Sequence, residues 1–295
     1  MRIGPLHRTA LGDATAVLAA SCAFDRAAEV ADEKLFEPGP HGGVEPLGCW
    51  LAGDLVGVAA VAADRIRVLA VAPPARRRGI GQALLDACYT AARATGAATL
   101  RTLDQPGNYL APGIDERNTE TIGWLERRGW RRHPQPRLNA WIELAGNPRV
   151  SGERAAASAA LAAARGYQVR RARPGEQPLL DAVAVEFGGA WPFELARSLA
   201  GDPPAIHVAV RAGAYCGFAA HDGNNRGLGW FGPAGTWPAH RGQGLGEALL
   251  LACLVDLAAH HARCEVAWIG PRAFYDRVAG VAGDRRFVLL TRELT

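Results

Sequence analysis

The chain has 295 residues, 49% of them hydrophobic and 21% charged, which is enough for two cores of ordinary domain size and more than one core usually holds. The net charge is +4, but Lys34 is the only lysine and the arginines are scattered among acids, so the composition excludes the basic stripe of a nucleic-acid-binding surface. Six cysteines without a C-x-x-C pair indicate neither a disulfide framework nor a metal site, and with no apolar leader or membrane-length run the expected address is cytoplasmic, with no membrane partner.

In chain order, the pattern predicts an extended segment at residues 3–6, a helix over about 13–28, and a hairpin of strands 48–51 and 55–63 that turns at Gly53 and Asp54. An apolar strand at 66–71 stops at Pro73 and Pro74 and feeds a glycine loop and a helix over 81–95. A strand at 98–102, a loop at 103–118, a helix at about 119–128 and a strand near 139–144 complete a first unit, residues 1–146. Residues 147–166 are alanine-rich, with Ser151 as N-cap and Gly166 as stop, and predict a helical linker.

The plan repeats over 167–295, with strand 168–172, helix 176–186, strands 206–211, 215–220 and 229–235, helix 246–260, strand 264–269, helix 271–278 and strand 286–291. The expected fold class is α+β, each unit a mixed, mostly antiparallel sheet with helices on its faces.

The repeat is visible in the residues themselves. Residues 73–88 and 238–253 are identical at nine of sixteen positions without a gap, and Arg76, Gly79, Gly81 and Cys88 each recur 165 residues on, at Arg241, Gly244, Gly246 and Cys253. A strand that turns through glycines into a helix leaves amide N–H groups unpaired at the positive end of the helix dipole. Such a cup binds phosphate oxygens, and glycine lets the backbone approach them.

The loops lack the Lys-Ser/Thr ending of a nucleotide P-loop. The run Arg76-Arg77-Arg78-Gly79-Ile80-Gly81, and still more closely Arg241-Gly242-Gln243-Gly244-Leu245-Gly246, resembles the acetyl-CoA pyrophosphate loop of the GNAT superfamily of N-acetyltransferases. The strand and helix order resembles that family in both halves, which implies a tandem GNAT with acetyl-CoA as cofactor. The segments PGNYLAPGID (106–115) and IGPRAFY (269–275) resemble tandem small-molecule acetyltransferases of amino-sugar and antibiotic type. The implied acceptor is therefore a primary amine of a small molecule such as an amino sugar, handled by a monomer or homodimer.

The implied reaction needs a neutral amine, and at pH 7 an amine with a pKa of about 10.4 is neutral in only about one molecule per thousand, a cost of roughly 4 to 5 kcal/mol. The resemblance places a proton donor for the departing thiolate at Tyr275 of the pair Phe274-Tyr275, where the first unit has Trp124-Leu125 and no hydroxyl. Catalysis is therefore expected in the second unit, and Tyr109 is the substitute hydroxyl if the first unit is active. For the base, His221 ranks ahead of Asp222 and Glu265 because its pKa lies near neutrality, and His240 is read as a phosphate neighbour. Two alternatives stay open: a non-catalytic acyl-CoA-binding sensor or scaffold, and an acetyltransferase of protein N-termini or lysines.

Overall fold

A computed structural model describes Met1 to Leu294. Its elements run β1 (Arg2–Pro5), α1 (Leu11–Ser21), α2 (Ala31–Phe36), β2 (Glu45–Leu51), β3 (Asp54–Ala62), β4 (Arg65–Val71), α3 (Ile80–Ala94), β5 (Thr99–Thr102), β6 (Ile114–Asp115), α4 (Thr119–Glu126) and β7 (Arg131–Arg132). There follow β8 (Arg137–Glu143), α5 (Gly152–Ala163), β9 (Gln168–Arg171), α6 (Gln177–Glu186), α7 (Trp191–Leu199), β10 (Ile206–Arg211), β11 (Ala214–His221), β12 (Trp230–Thr236), α8 (Leu245–Ala258), β13 (Arg263–Val266), α9 (Arg272–Ala279), β14 (Gly283–Val288) and β15 (Leu290–Glu293). Among the described residues no helix is long and apolar enough to cross a membrane.

The chain forms two compact units, Met1–Arg137 together with the residues from Arg286 onward, and Leu138–Arg285. The first sheet has the order β1-β2-β3-β4-β5-β15-β7, with β4 and β5 parallel and its other described pairs antiparallel. In the second unit the order is β9-β10-β11-β12-β13-β8-β14, with β12 and β13 the parallel pair among those described. Both units are mixed, mostly antiparallel sheets with helices on their faces, as the sequence implies.

The boundaries at 146 and 167 need correction. Residues 139–144 fall in β8, which pairs with β13 of the second unit through Cys264↔Ile142. Residues 286–291 divide between β14 and β15, and β15 lies between β5 and β7 of the first unit. Each unit's closing strand thus comes from the other end of the chain's plan, and α5 is part of the second unit, with Ser151 capping it by accepting the Arg154 amide. The pairing partners of the two strands lie more than a hundred residues away, so local sequence does not tell which sheet takes which. Two short helices, α2 and α7, were also outside the predicted set, and α1 ends at Ser21, short of residue 28.

What positions the loops is the packing of α3 and α8 onto the strands. The helix α3 buries Ile80, Leu84, Leu85, Cys88, Ala91 and Ala92, which lie at helical spacing on one face. Beneath it is Gly57, where an added Cβ would come within 2.9 Å of the Leu84 side chain. Gly217 stands in the same relation to Leu249 of α8, also at 2.9 Å. A side chain at either glycine would lift the helix from its strand and move the loop at the helix start. Unlike α3, α8 buries residues around its whole circumference, because α5 packs on its outer side.

Candidate functional site

In both units the strand that leads into the glycine loop parts from its parallel neighbour. Pairing of β4 with β5 is recorded only at Arg65↔Arg101 and Ile66↔Thr102, while β4 runs on to Val71. Likewise β12 pairs with β13 at Trp230↔Glu265 and Phe231↔Val266 and then continues to Thr236. A register shift lies at each parting, at Ala60/Val61 opposite Ile66–Val68 and at Ala219/His221 opposite Phe231–Ala234, where bulges bend strands.

The loops themselves have one conformation. Gly79 and Gly244, the N-caps of α3 and α8, are left-handed at φ 79° and 82°, and so are the residues two before them, Arg77 at 62° and Gly242 at 75°. The first backbone bonds of the helices are Ala83 N–H to Gly79 O and Ala248 N–H to Gly244 O, so the amides ahead of them are the outward donors of the cup. Arg76 and Arg241 tie the loop down: each donates from Nε to the last carbonyl of its strand, Val71 O at 3.1 Å and Thr236 O at 3.3 Å. Their role in this state is bracing, beyond the phosphate contact expected of them.

A second helix closes each cup in the same way. Trp124 of α4 lies against Gly81, its ring 3.6 Å from where a Cβ would stand, and Phe274 of α9 lies against Gly246 at 3.4 Å. Arg128 stacks on Trp124 at 4.3 Å and donates to Gln82; Arg277 lies over Phe274 at 5.7 Å and donates to Glu247 at 3.3 Å. Trp124-Leu125 and Phe274-Tyr275 therefore occupy equivalent places, as the sequence comparison of the two halves implies.

The cavities differ. In unit 1 a cleft of about 790 Å³ runs from Arg76, Arg77, Gly79 and Gly81 along Val68 to Val71 of β4, down to Thr102 and Ile114, and is walled by the end of α1 and by α4. In unit 2 a cavity of about 410 Å³ is lined by Arg241, Gly242, Gly244, Leu245, Gly246, His240 and Thr236 with Arg165, Glu247, Phe274 and Arg277. Arg165, beyond the end of α5, donates to Gln243 O at 2.6 Å, and His240 bonds the Tyr167 hydroxyl at 3.0 Å.

The expected catalytic side chains of unit 2 do not meet at this cavity. Tyr275 packs edge-on against Phe231 and Phe274, at 6.1 and 5.1 Å; burial pushes its pKa up to about 12. His221 is buried, with Nδ1 2.8 Å from Asp222 and Nε2 3.5 Å from Asp256. Burial works against its charged form, but the two carboxylates outweigh it and raise its pKa. Asp256 also holds His207 at 2.7 Å and Arg171 at 2.6 Å, and these bonds outweigh burial to hold its carboxyl well below the usual range. Asp256 stands eleven residues along α8 from Leu245, roughly 16 Å from the cup at 1.5 Å per residue.

His221 thus belongs to an ion cluster at the far end of the helix. Of the other candidates, Glu265 accepts from Asn139 at 2.6 Å, Asp222 also accepts the Gly227 amide, and Tyr109 is buried within its loop. Cys88 and Cys253 are buried with pKa values pushed up by desolvation, which keeps them as unreactive thiols.

Sequence reasoning missed the α1 wall of the unit 1 cleft, Ala20 to Asp25, and the start of α4, Arg117 to Thr121. The one signal for the former is the run of small residues Ala19-Ala20-Ser21-Cys22-Ala23 at a helix end, which leaves space over a strand.

Residues 45–132 match the family described as Acetyltransferase (GNAT) domain. No curated protein matches the sequence. Among solved structures, the chain is similar to the GCN5-related glucosamine N-acetyltransferase region of a fungal multi-domain GH3 β-N-acetylglucosaminidase, with TM-score 0.78 and 18% identity over 99% of this chain and 38% of that one. A tandem GNAT protein from the clavulanic acid biosynthesis pathway gives TM-score 0.70 and 21% identity over 100% of this chain and 98% of that one. A GCN5-related N-acetyltransferase from Sphaerobacter thermophilus gives 0.67 and 18% over 99% and 95%. This chain spans well under half of the fungal protein that it matches, and at these identities the likeness establishes the fold.

Proposed function

From the premise of a tandem GNAT fold, we propose that the chain is an acetyl-CoA-dependent N-acetyltransferase acting on the primary amine of a small molecule, an amino sugar or related metabolite, with unit 1 as the seat of turnover. The observation that carries this reading is the cleft of about 790 Å³ that joins the amide cup of Arg76–Gly81 to the open edge of β4. The residues fit the cofactor: outward amides and the cationic Arg77 and Arg128 suit a diphosphate, and the unpaired edge of β4 offers backbone bonds to an amide-bearing arm. Acetyl-CoA supplies an acetyl thioester when bound; the chain's part is to hold it and to leave one face open to an amine.

Tyr275 holds its proton tightly. Burial raises its pKa to about 12, which makes it a weaker proton donor than an exposed tyrosine. A panel of amines with acetyl-CoA, read by free thiol release, tests the reading. Turnover with amino sugars or similar small amines is expected; tight acetyl-CoA binding without turnover would make the chain a sensor, and turnover on peptides alone a protein acetyltransferase. In Gly79→Val the side chain must adopt a φ of 79° at the cup, and kcat/KM is expected to fall by more than about 100-fold. Full activity in that variant would take the site out of unit 1.

A further inference from the structure

The two units differ in what covers the strand before the glycine loop. Val58↔Ala70 in unit 1 and Phe218↔Gly235 in unit 2 are equivalent pairs, since Ala70 and Gly235 stand at matching places in the repeat. The helices α1 and α6, which follow the matching strands β1 and β9, end at the C-caps Cys22 and Phe187. In unit 1, Cys22 and Ala70 both line the cleft. In unit 2 the corresponding space holds the Phe187 ring, which lies on the bare backbone of Gly235: a Cβ there would stand 2.9 Å from Phe187 Cζ and 2.9 Å from Phe218 Cε1.

Three further rings lock Phe187 in place. Trp191 stacks on it at 5.2 Å, and Trp237 and Phe218 meet it edge-on at 5.0 and 5.5 Å; Trp191 and Trp237 in turn pack on Phe218 at 5.8 and 6.0 Å. None of the four lines the unit 2 cavity. Aromatic contacts at these separations are those of a filled core. Glycine at 235 is the fitting half of the arrangement, because the methyl of an alanine, as at Ala70, would collide with the ring.

Resting on the transferase reading above, we propose that Phe187 is an acceptor-excluding residue: the cluster Phe187, Trp191, Phe218 and Trp237 fills in unit 2 the space that in unit 1 is part of the cleft, so that unit 1 alone admits the amine. Unit 2 keeps the cup but not the second half of a two-substrate site. The asymmetry is a matter of side-chain volume over one strand position, and it runs opposite to the distribution of the tyrosine.

The test transplants the plug. Cys22→Phe with Ala70→Gly rebuilds in unit 1 the pair that unit 2 carries, and is expected to lower kcat/KM for the amine at least about tenfold while leaving acetyl-CoA affinity within about threefold. Phe187→Ala, which empties the space over Gly235, is expected to raise the amine bound, read by equilibrium dialysis, from one toward two equivalents per chain. Thermal melts establish that each variant is folded. A folded double variant with wild-type kcat/KM overturns the proposal, and so does a folded Phe187→Ala that still binds a single equivalent of amine per chain. A wild-type protein that releases no thiol with any amine instead brings down the transferase reading, before any variant is made.

Discussion

Deleting the residues from Arg286 onward should unfold unit 1, although it leaves the whole of β1 to α4 in the chain. The deletion removes β15 from between β5 and β7, and with it the pairs Thr291↔Arg101, Arg292↔Leu100 and Glu293↔Thr99. It also removes Val288, Leu290 and Leu294, all members of the unit 1 core. At about 1.5 to 3 kcal/mol for each buried side chain, the lost burial is about 5 to 9 kcal/mol, comparable with the whole stability of an ordinary domain, about 5 to 15 kcal/mol. The newly bare edge of β5 would add an aggregation risk. Limited proteolysis of chain 1–285, with the cut sites mapped by mass spectrometry, reads this directly. Rapid cleavage throughout 1–137 is expected, with protection restored by a peptide of residues 286–295 added in excess. Wild-type protection of 1–137 in the truncated chain would refute the exchange of closing strands.

Two smaller perturbations test the loop and the ion cluster. Arg77 adopts a φ of 62° where its repeat partner is Gly242, so Arg77→Gly should raise stability by up to about 1 kcal/mol while weakening acetyl-CoA binding several-fold through the lost charge; a lower melting temperature would show that Arg77 is not strained. His221 has a raised pKa in the folded chain, so its contribution is complete below its unfolded value, about 6.5, and is lost as pH rises through the folded value. Asp256 is shifted the other way; its contribution holds above about 3.8 and disappears as pH falls below that. The melting temperature should therefore decline as pH rises above about 6.5 in the wild type and less steeply in His221→Gln, and equal slopes would remove His221 from the account.

The loops were legible because their physics is local. A left-handed N-cap requires glycine, an amide cup requires a strand that turns directly into a helix, and both requirements leave a fixed spacing that repeats after 165 residues. The α+β layering was legible for a similar reason, since the alternation of β2 and β3 and the helical spacing along α3 are read within a few residues. Which sheet receives β8 and which receives β15 depends on partners more than a hundred residues away, and neither strand carries a mark of its destination. Tyr275 stands where the repeat says it should, against Phe274, which covers Gly246, and its proton affinity is raised by burial that the sequence does not display. The replacement of Cys22 and Ala70 by Phe187 and Gly235 is two ordinary differences until the fold puts each pair together, and then they leave the space over the strand open in unit 1 and filled in unit 2. The glycine loop keeps one backbone conformation in both halves; what differs is the volume above one strand residue.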